Sequence, residues 1–259
     1  MDYPTLTLGY EGALALITLN RPDKRNAISP QMIDDLLGAL DKVEASAARV
    51  AILTGTGKAF CAGMDLEVLR TISSQTPEQN LQDSRRMAQL FRRLWSFPKP
   101  LIAAVNGPAL AGGCAVATLA DFTLAAPEAT FGYTEVRIGF VPAIVSVFLR
   151  RRLGEGAARD LLLTARILPA AEALELGLVS EVVAAEALLA RARQLAGTLL
   201  AHSPTGLLAT KRLMVECQEP AIDRELSLAI AANAAVRSTP DFREGVASFL
   251  EKRPPKWSG

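Results

Sequence analysis

Histidine is nearly absent from this chain: His202 is the only one in 259 residues. A Ser–His–Asp hydrolase would need that imidazole beside a nucleophile elbow, and no GxSxG occurs. His202 closes a helical stretch ahead of Ser203-Pro204, where a polar or cationic cap is favourable, and it reads as structural. Cysteine is scarce too. Cys61, Cys114 and Cys217 are odd in number, widely spaced and contain no CxxC. They read as reduced thiols of a cytoplasmic protein, with no metal site among them. The glycine-rich turns lack both GxxxxGK[ST] and GxGxxG, so nucleotide hydrolysis and dinucleotide binding are unsupported. Charge of one sign is not in excess: 28 basic and 27 acidic residues leave a net charge of +1. Nothing in that balance calls for a nucleic-acid partner. No apolar run reaches the roughly 20 residues of a membrane span. The N-terminus, with Asp2, has no basic-then-apolar signal pattern.

What the chain has is apolar content, 50% of its residues, enough for a large core. Residues 5–19 read as a hairpin turning between Gly9 and Gly12. Ser29-Pro30 opens a helix to about Ala47, with Ser29 as N-cap and proline at its first position. Val50–Thr54 is a short apolar strand, followed by the turn GTGKAFCAGMDL and a helix from about Asp65. An amphipathic helix spans 77–96, with Arg, Gln and Ser on its polar side. Leu101–Val105 and Phe122–Ala125 are strands around a helix at Gly112–Leu119. This alternation predicts an α/β fold with a mostly parallel, buried sheet. From about residue 144 the chain reads as helical, including Phe148–Leu153, Glu155–Leu163 and Pro204–Cys217, and no repeat or low-complexity tract interrupts it.

The chemistry concentrates at residues 103–142. A strand enters the small-residue turn ALAGGC and opens straight into a helix, so backbone amides near Gly112 and Gly113 can meet a developing negative charge on oxygen. Glu135 follows after a second strand, and a carboxylate there could move a proton. That pairing points to acyl-thioester chemistry through an enolate. By pattern alone, Glu135 could equally be a surface turn residue, and the two glycines could simply allow tight packing.

Several ordered motifs carry a resemblance: LNRPDKRNAIS, LTGTGKAFCAGMDL, AVNGPALAGGCAVATLADF, FGYTEVRIGFVP, ARDLLLTARILPAAEALELGLVSEVV and FLEKRPPKW. Together they resemble the enoyl-CoA hydratase/isomerase (crotonase) family over nearly the whole chain. The resemblance implies a crotonase-like ββα spiral core that binds acyl-CoA (1–195) and a C-terminal helical region (196–259) that drives trimer, or stacked hexamer, formation. It implies an acyl-CoA thioester as substrate and no cofactor beyond the CoA that the substrate carries. It places the thioester oxygen between the N–H groups of Met64 and Gly112 and makes Glu135 the catalytic carboxylate. Ala27, Ala62 and Gly113 belong to the loops expected to line the substrate. For Lys24, Arg25 and Lys252 a CoA phosphate contact and a plain solvated role both stand. Asp65 is either substrate-lining or a first-turn helix charge, and Asp121 reads as a structural cap.

Two departures stand out. Hydratases of this family commonly carry a second glutamate just after GGC, where this chain has Ala115. They often read IPGAGGT where this chain reads VPAIVSV, which should reshape the acyl pocket. A 2-enoyl-CoA hydratase is the first expectation. A Δ3,Δ2-enoyl-CoA isomerase using one carboxylate, a methylglutaconyl-CoA hydratase, and a non-catalytic acyl-CoA- or RNA-binding member are the alternatives.

Overall fold

The computed structural model describes residues 3–72 and 74–258. Met1, Asp2, Ser73 and Gly259 lie outside the described residues, and with them the reading of Asp2 and the outer ends of the two expected regions.

Strands β1 (Leu6–Glu11) and β2 (Leu14–Leu19) form the antiparallel hairpin. Its turn is tighter than expected: Gly9 sits within β1 opposite Leu16, and the reversal falls at Gly12, whose φ of 60° suits a residue without Cβ. Helix α1 (Pro30–Ala45) begins where the caps place it, with the Ser29 hydroxyl accepting from the Met32 N–H. Strand β3 (Val50–Gly55) returns parallel to β2. After α2 (Leu66–Ile72) and α3 (Pro77–Trp95), β4 (Leu101–Val105) lies parallel to β3. Every residue of β4 is buried, as expected of a strand covered on both faces.

The short strand β5 (Ala109–Leu110) leads into α4 (Gly112–Thr118), then β6 (Phe122–Ala125) and β7 (Thr130–Gly132). Helix α5 (Ala143–Thr164) joins the two helical segments expected there, with a break at Gly154, φ 78°. Next come β8 (Leu168–Pro169), α6 (Ala170–Glu175), β9 (Glu181–Val182), α7 (Leu188–Leu200), α8 (Pro204–Glu216), α9 (Glu219–Val236) and α10 (Pro240–Glu251). The large sheet runs β1-β2-β3-β4-β6-β9 and a small one β5-β7-β8. Helix α7 covers one face of the large sheet, placing Leu188, Ala192 and Leu199 against Val50, Ile52 and Ile102. Position 195/196 falls within this helix. On the other face Leu36, Leu40, Phe91 and Val116 enclose the main core. Helix α8 buries none of its residues.

Candidate active site

Two turns are zipped together at one end of the sheet. Cys61 pairs with Ala109 in a parallel bridge, and the Leu110 N–H donates to the Cys61 carbonyl at 3.0 Å. Ile28 pairs with Met64, through Ile28 N–H to Gly63 O (2.7 Å) and Asp65 N–H to Ile28 O (2.9 Å). Gly63, at φ 92°, lies close enough to Leu110 that a Cβ would sit 3.0 Å from its carbonyl oxygen. Ala111 takes φ 48° and ψ −127°, rare for a residue with a side chain, and this bend aims the chain into α4. Its N–H is held by the Gly132 carbonyl at 2.7 Å. Among the described residues neither the Met64 nor the Gly112 N–H has an intramolecular acceptor. Gly112 is the first residue of α4, where helix geometry leaves amides without partners. Both residues line the same cavity.

Glu135 comes to that cavity from β7. It opens a 3-10 turn, Glu135–Ile138, which ends at Gly139 with φ 64°. The turn is locked against α10: a Cβ on Gly139 would sit 2.5 Å from Asp241 O, and one on Gly245 would sit 2.3 Å from Ile138 C. Glu135 is half-buried as a residue, but its Oε2 is buried and has no hydrogen-bond partner. Burial raises its carboxyl to about 7, opposed only by its own backbone amide. A carboxylate near neutrality is suited to taking and returning a proton.

The cavity measures about 520 Å³ and is walled largely by apolar residues, among them Ile28, Leu69, Phe91 and Phe140. The segment Val141–Val145, within VPAIVSV, forms part of that wall. Of the expected site residues, Ala62, Met64, Gly112 and Glu135 line it. Ala27, Asp65, Gly113, Lys24, Arg25 and Lys252 do not. Gly113 packs against Cys61 instead. Asp65 is buried, accepts from Arg21 Nη2 at 2.8 Å and caps the Glu67 N–H at 3.0 Å. Arg21 also donates to the Ala27 carbonyl at 2.6 Å, so this ion pair ties the Ile28 and Met64 strands together. That latch was not anticipated from sequence, because 44 positions separate its partners. Lys24 is exposed and pairs with Glu67 at 2.8 Å. Arg25 and Lys252 are exposed residues with left-handed backbone, φ 50° and 55°. Ala115 is fully buried and off the cavity wall.

The remaining candidates lie off the cavity wall. Asp121 accepts from the Leu101 N–H at 2.7 Å and pairs with Lys211 at 2.6 Å. Cys61 and Cys114 are buried, and burial lifts both thiols to about 12, far from a reactive thiolate. The His202 carbonyl accepts from Arg49 Nη2 at 2.8 Å. Among the described residues no cluster of three or more His, Cys, Asp or Glu could hold a metal ion, and no helix is long and apolar enough to cross a membrane.

Comparison with known proteins gives the family. The family model for enoyl-CoA hydratase/isomerase matches residues 9–259. A Thermus thermophilus protein provisionally assigned as an enoyl-CoA hydratase is 45% identical over 248 residues, covering 95% of this chain and 98% of its own. A crotonyl-CoA hydratase of Syntrophomonas wolfei is 35% identical, over 98% of this chain and 97% of its own. The crystal structure of an enoyl-CoA hydratase from Mycobacterium avium superposes with a TM-score of 0.88 at 33% identity, over 100% of both chains. One of an enoyl-CoA hydratase/isomerase from Xanthobacter autotrophicus gives 0.88 at 30% identity, over 97% of this chain and 98% of its own. With its motifs, its paired turns and its fold in agreement, this chain belongs to the enoyl-CoA hydratase/isomerase family and has the crotonase fold.

Proposed function

We propose that this protein is an enoyl-CoA hydratase that works with one carboxylate. The observation that carries the reading is Glu135: its buried Oε2 has no partner, in the same cavity as the free amides of Met64 and Gly112. In this reading the thioester oxygen accepts from both N–H groups. Glu135 takes a proton from water, and the water oxygen bonds to C3. The C2–C3 π electrons move toward the thioester oxygen as an enolate, and protonated Glu135 then returns the proton to C2. Each amide is worth about 2.7–4 kcal/mol to such an oxyanion. The crotonyl-CoA hydratase relative supports this choice. No step calls for a cofactor beyond the substrate's CoA. Lys24, Arg25 and Lys252 stand at the surface as candidate phosphate contacts.

The absence of a second carboxylate at Ala115 favours a second reading, in which Glu135 moves a proton between C2 and C4 as a Δ3,Δ2-enoyl-CoA isomerase. A methylglutaconyl-CoA hydratase has the same carboxylate count. A non-catalytic acyl-CoA- or RNA-binding role leaves the unpartnered carboxylate without a use.

We place the protein in the cytoplasm as a homotrimer or a hexamer. The unburied helix α8, which exposes Leu213 and Met214, supports the C-terminal helices as its contact region. The expected division at about residue 195 belongs to that proposal.

The test is crotonyl-CoA loss, followed at the enoyl-thioester absorbance, for wild type beside Glu135→Gln. Hydration by wild type and a fall of about 10²–10⁴-fold in the variant is the expected result. A folded wild type without turnover, which instead shifts the double bond of a 3-enoyl-CoA, sinks the hydratase in favour of the isomerase.

A further inference from the structure

One wall of the cavity is polar in a way that thioester chemistry does not require. Where α3 meets α9, Asn80, Ser84 and Asn233 are buried, and Arg237 is only 4% exposed. Arg237, Asp83 and Asn233 all line the cavity. The guanidinium is poorly satisfied. Its contacts are Asn233 Oδ1 at 3.2 Å, Asn80 Oδ1 at 3.5 Å and Asp83 Oδ2 at 3.5 Å, and its Nε has no partner. It also stacks over the Phe140 ring at 5.5 Å. A buried charge ordinarily holds short, well-made partners, because desolvation is costly otherwise. A seam that served only to join two helices would satisfy this fork with short contacts. Here a planar five-donor group stands at the wall of an apolar cavity with capacity to spare. Among the described residues its one acidic partner, Asp83, is 35% exposed.

We propose that Arg237 anchors a carboxylate at the far end of the acyl chain, so that the preferred substrates are CoA monothioesters of dicarboxylic acids. The inference rests on the acyl-CoA reading above, but not on which reaction follows. An incoming carboxylate takes over the long Asp83 contact and offers the guanidinium a two-point acceptor. Ser84, which donates to Asn233 Oδ1 at 2.8 Å, holds that amide facing Arg237. Arg237 is here a specificity residue and moves no proton.

The test is calorimetric binding of saturated, unreactive thioesters: succinyl-, glutaryl- and adipyl-CoA beside butyryl-, pentanoyl- and hexanoyl-CoA. Wild type should bind at least one dicarboxylic thioester about tenfold or more tighter than its equal-length monocarboxylic partner. In Arg237→Met that ratio should collapse toward one. Equal binding within every pair, a preference for the monocarboxylic series, or a preference that survives in Arg237→Met overturns the proposal. Should Arg237→Met fail to fold, Asp83→Asn decides: removing the internal competitor should raise the ratio, and an unchanged or lower ratio overturns it. Turnover is not read, so this result is independent of the crotonyl-CoA assay: a dicarboxylic preference lost in Arg237→Met stands even where that assay refutes the hydratase. If none of the thioesters binds, both fall.

Discussion

Gly113 sits directly on Cys61: a Cβ at residue 113 would lie 2.2 Å from the Cys61 carbonyl oxygen and 2.7 Å from its Sγ. This contact brings the turn that carries Met64 against the turn that carries Gly112. The second glycine of the pair therefore serves packing, while the first faces the cavity. Gly113→Ala should push the turns apart at a cost of about 3 kcal/mol or more, a fall in Tm on the order of 10 °C. Thermal unfolding checks it, and a variant as stable as wild type would remove the contact from the argument.

Glu135 ties activity to pH. Its carboxyl lies at about 7 because it is buried. As the base that activates water it must be ionised, so kcat/KM should rise with pH and inflect near 7. A profile flat from about pH 5.5 to 8.5 would deny Glu135 that role.

The same burial has a stability cost of opposite sign. Between 4.5, the ordinary value, and about 7 the folded chain keeps a proton that the unfolded chain has released. The stability contributed by this group is therefore lost as pH rises through that window. Glu135→Gln cannot ionise. It should be more stable than wild type above about pH 7.5, by on the order of 3 kcal/mol, and equal to it below about pH 4. Denaturant unfolding at both pH values measures the difference.

Ala115 occupies the place of the missing glutamate, yet it is 0% exposed and off the cavity wall. Ala115→Glu should therefore bury an unpaired carboxylate rather than restore a two-carboxylate site. The expected outcome is a loss of several kcal/mol, on the order of 3–5, with no gain in crotonyl-CoA hydration. A well-folded, faster variant would show that the position does reach the substrate.

The Arg21–Asp65 pair braces the strands beside Met64. Asp65→Ala leaves a guanidinium that is 19% exposed without its partner, and should cost about 2 kcal/mol. Because the bracing holds the Met64 amide that the proposed function assigns to the thioester oxygen, kcat should fall more than KM rises. An unchanged kcat would confine Asp65 to stability.

Local chemistry was readable along the chain. Ser29-Pro30 declared a helix start, LIAAV a buried strand, and the ordered motifs their family, because caps, apolar runs and turn residues act over a few positions. The turn ALAGGC and Glu135 stood out as candidates on the same local pattern, which by itself left tight packing and a surface turn equally open. Other features depend on partners far apart in sequence. On α3, Asn80 and Ser84 share the buried face with Ala88 and Phe91, and the amphipathic pattern alone did not say what two polar residues do there. Packing against α9 buries Asn80 and Ser84 and sets Asp83 beside Arg237. The sequence by itself determined most of the elements and the family, and offered Glu135 as a candidate carboxylate. Only the tertiary structure decided that Gly113 packs while Gly112 faces the cavity, that Asp65 is bound to Arg21, and that a loosely paired guanidinium lines the same cavity as Glu135. Burial and long-range pairing, which set the state of a charge, come from the whole folded chain.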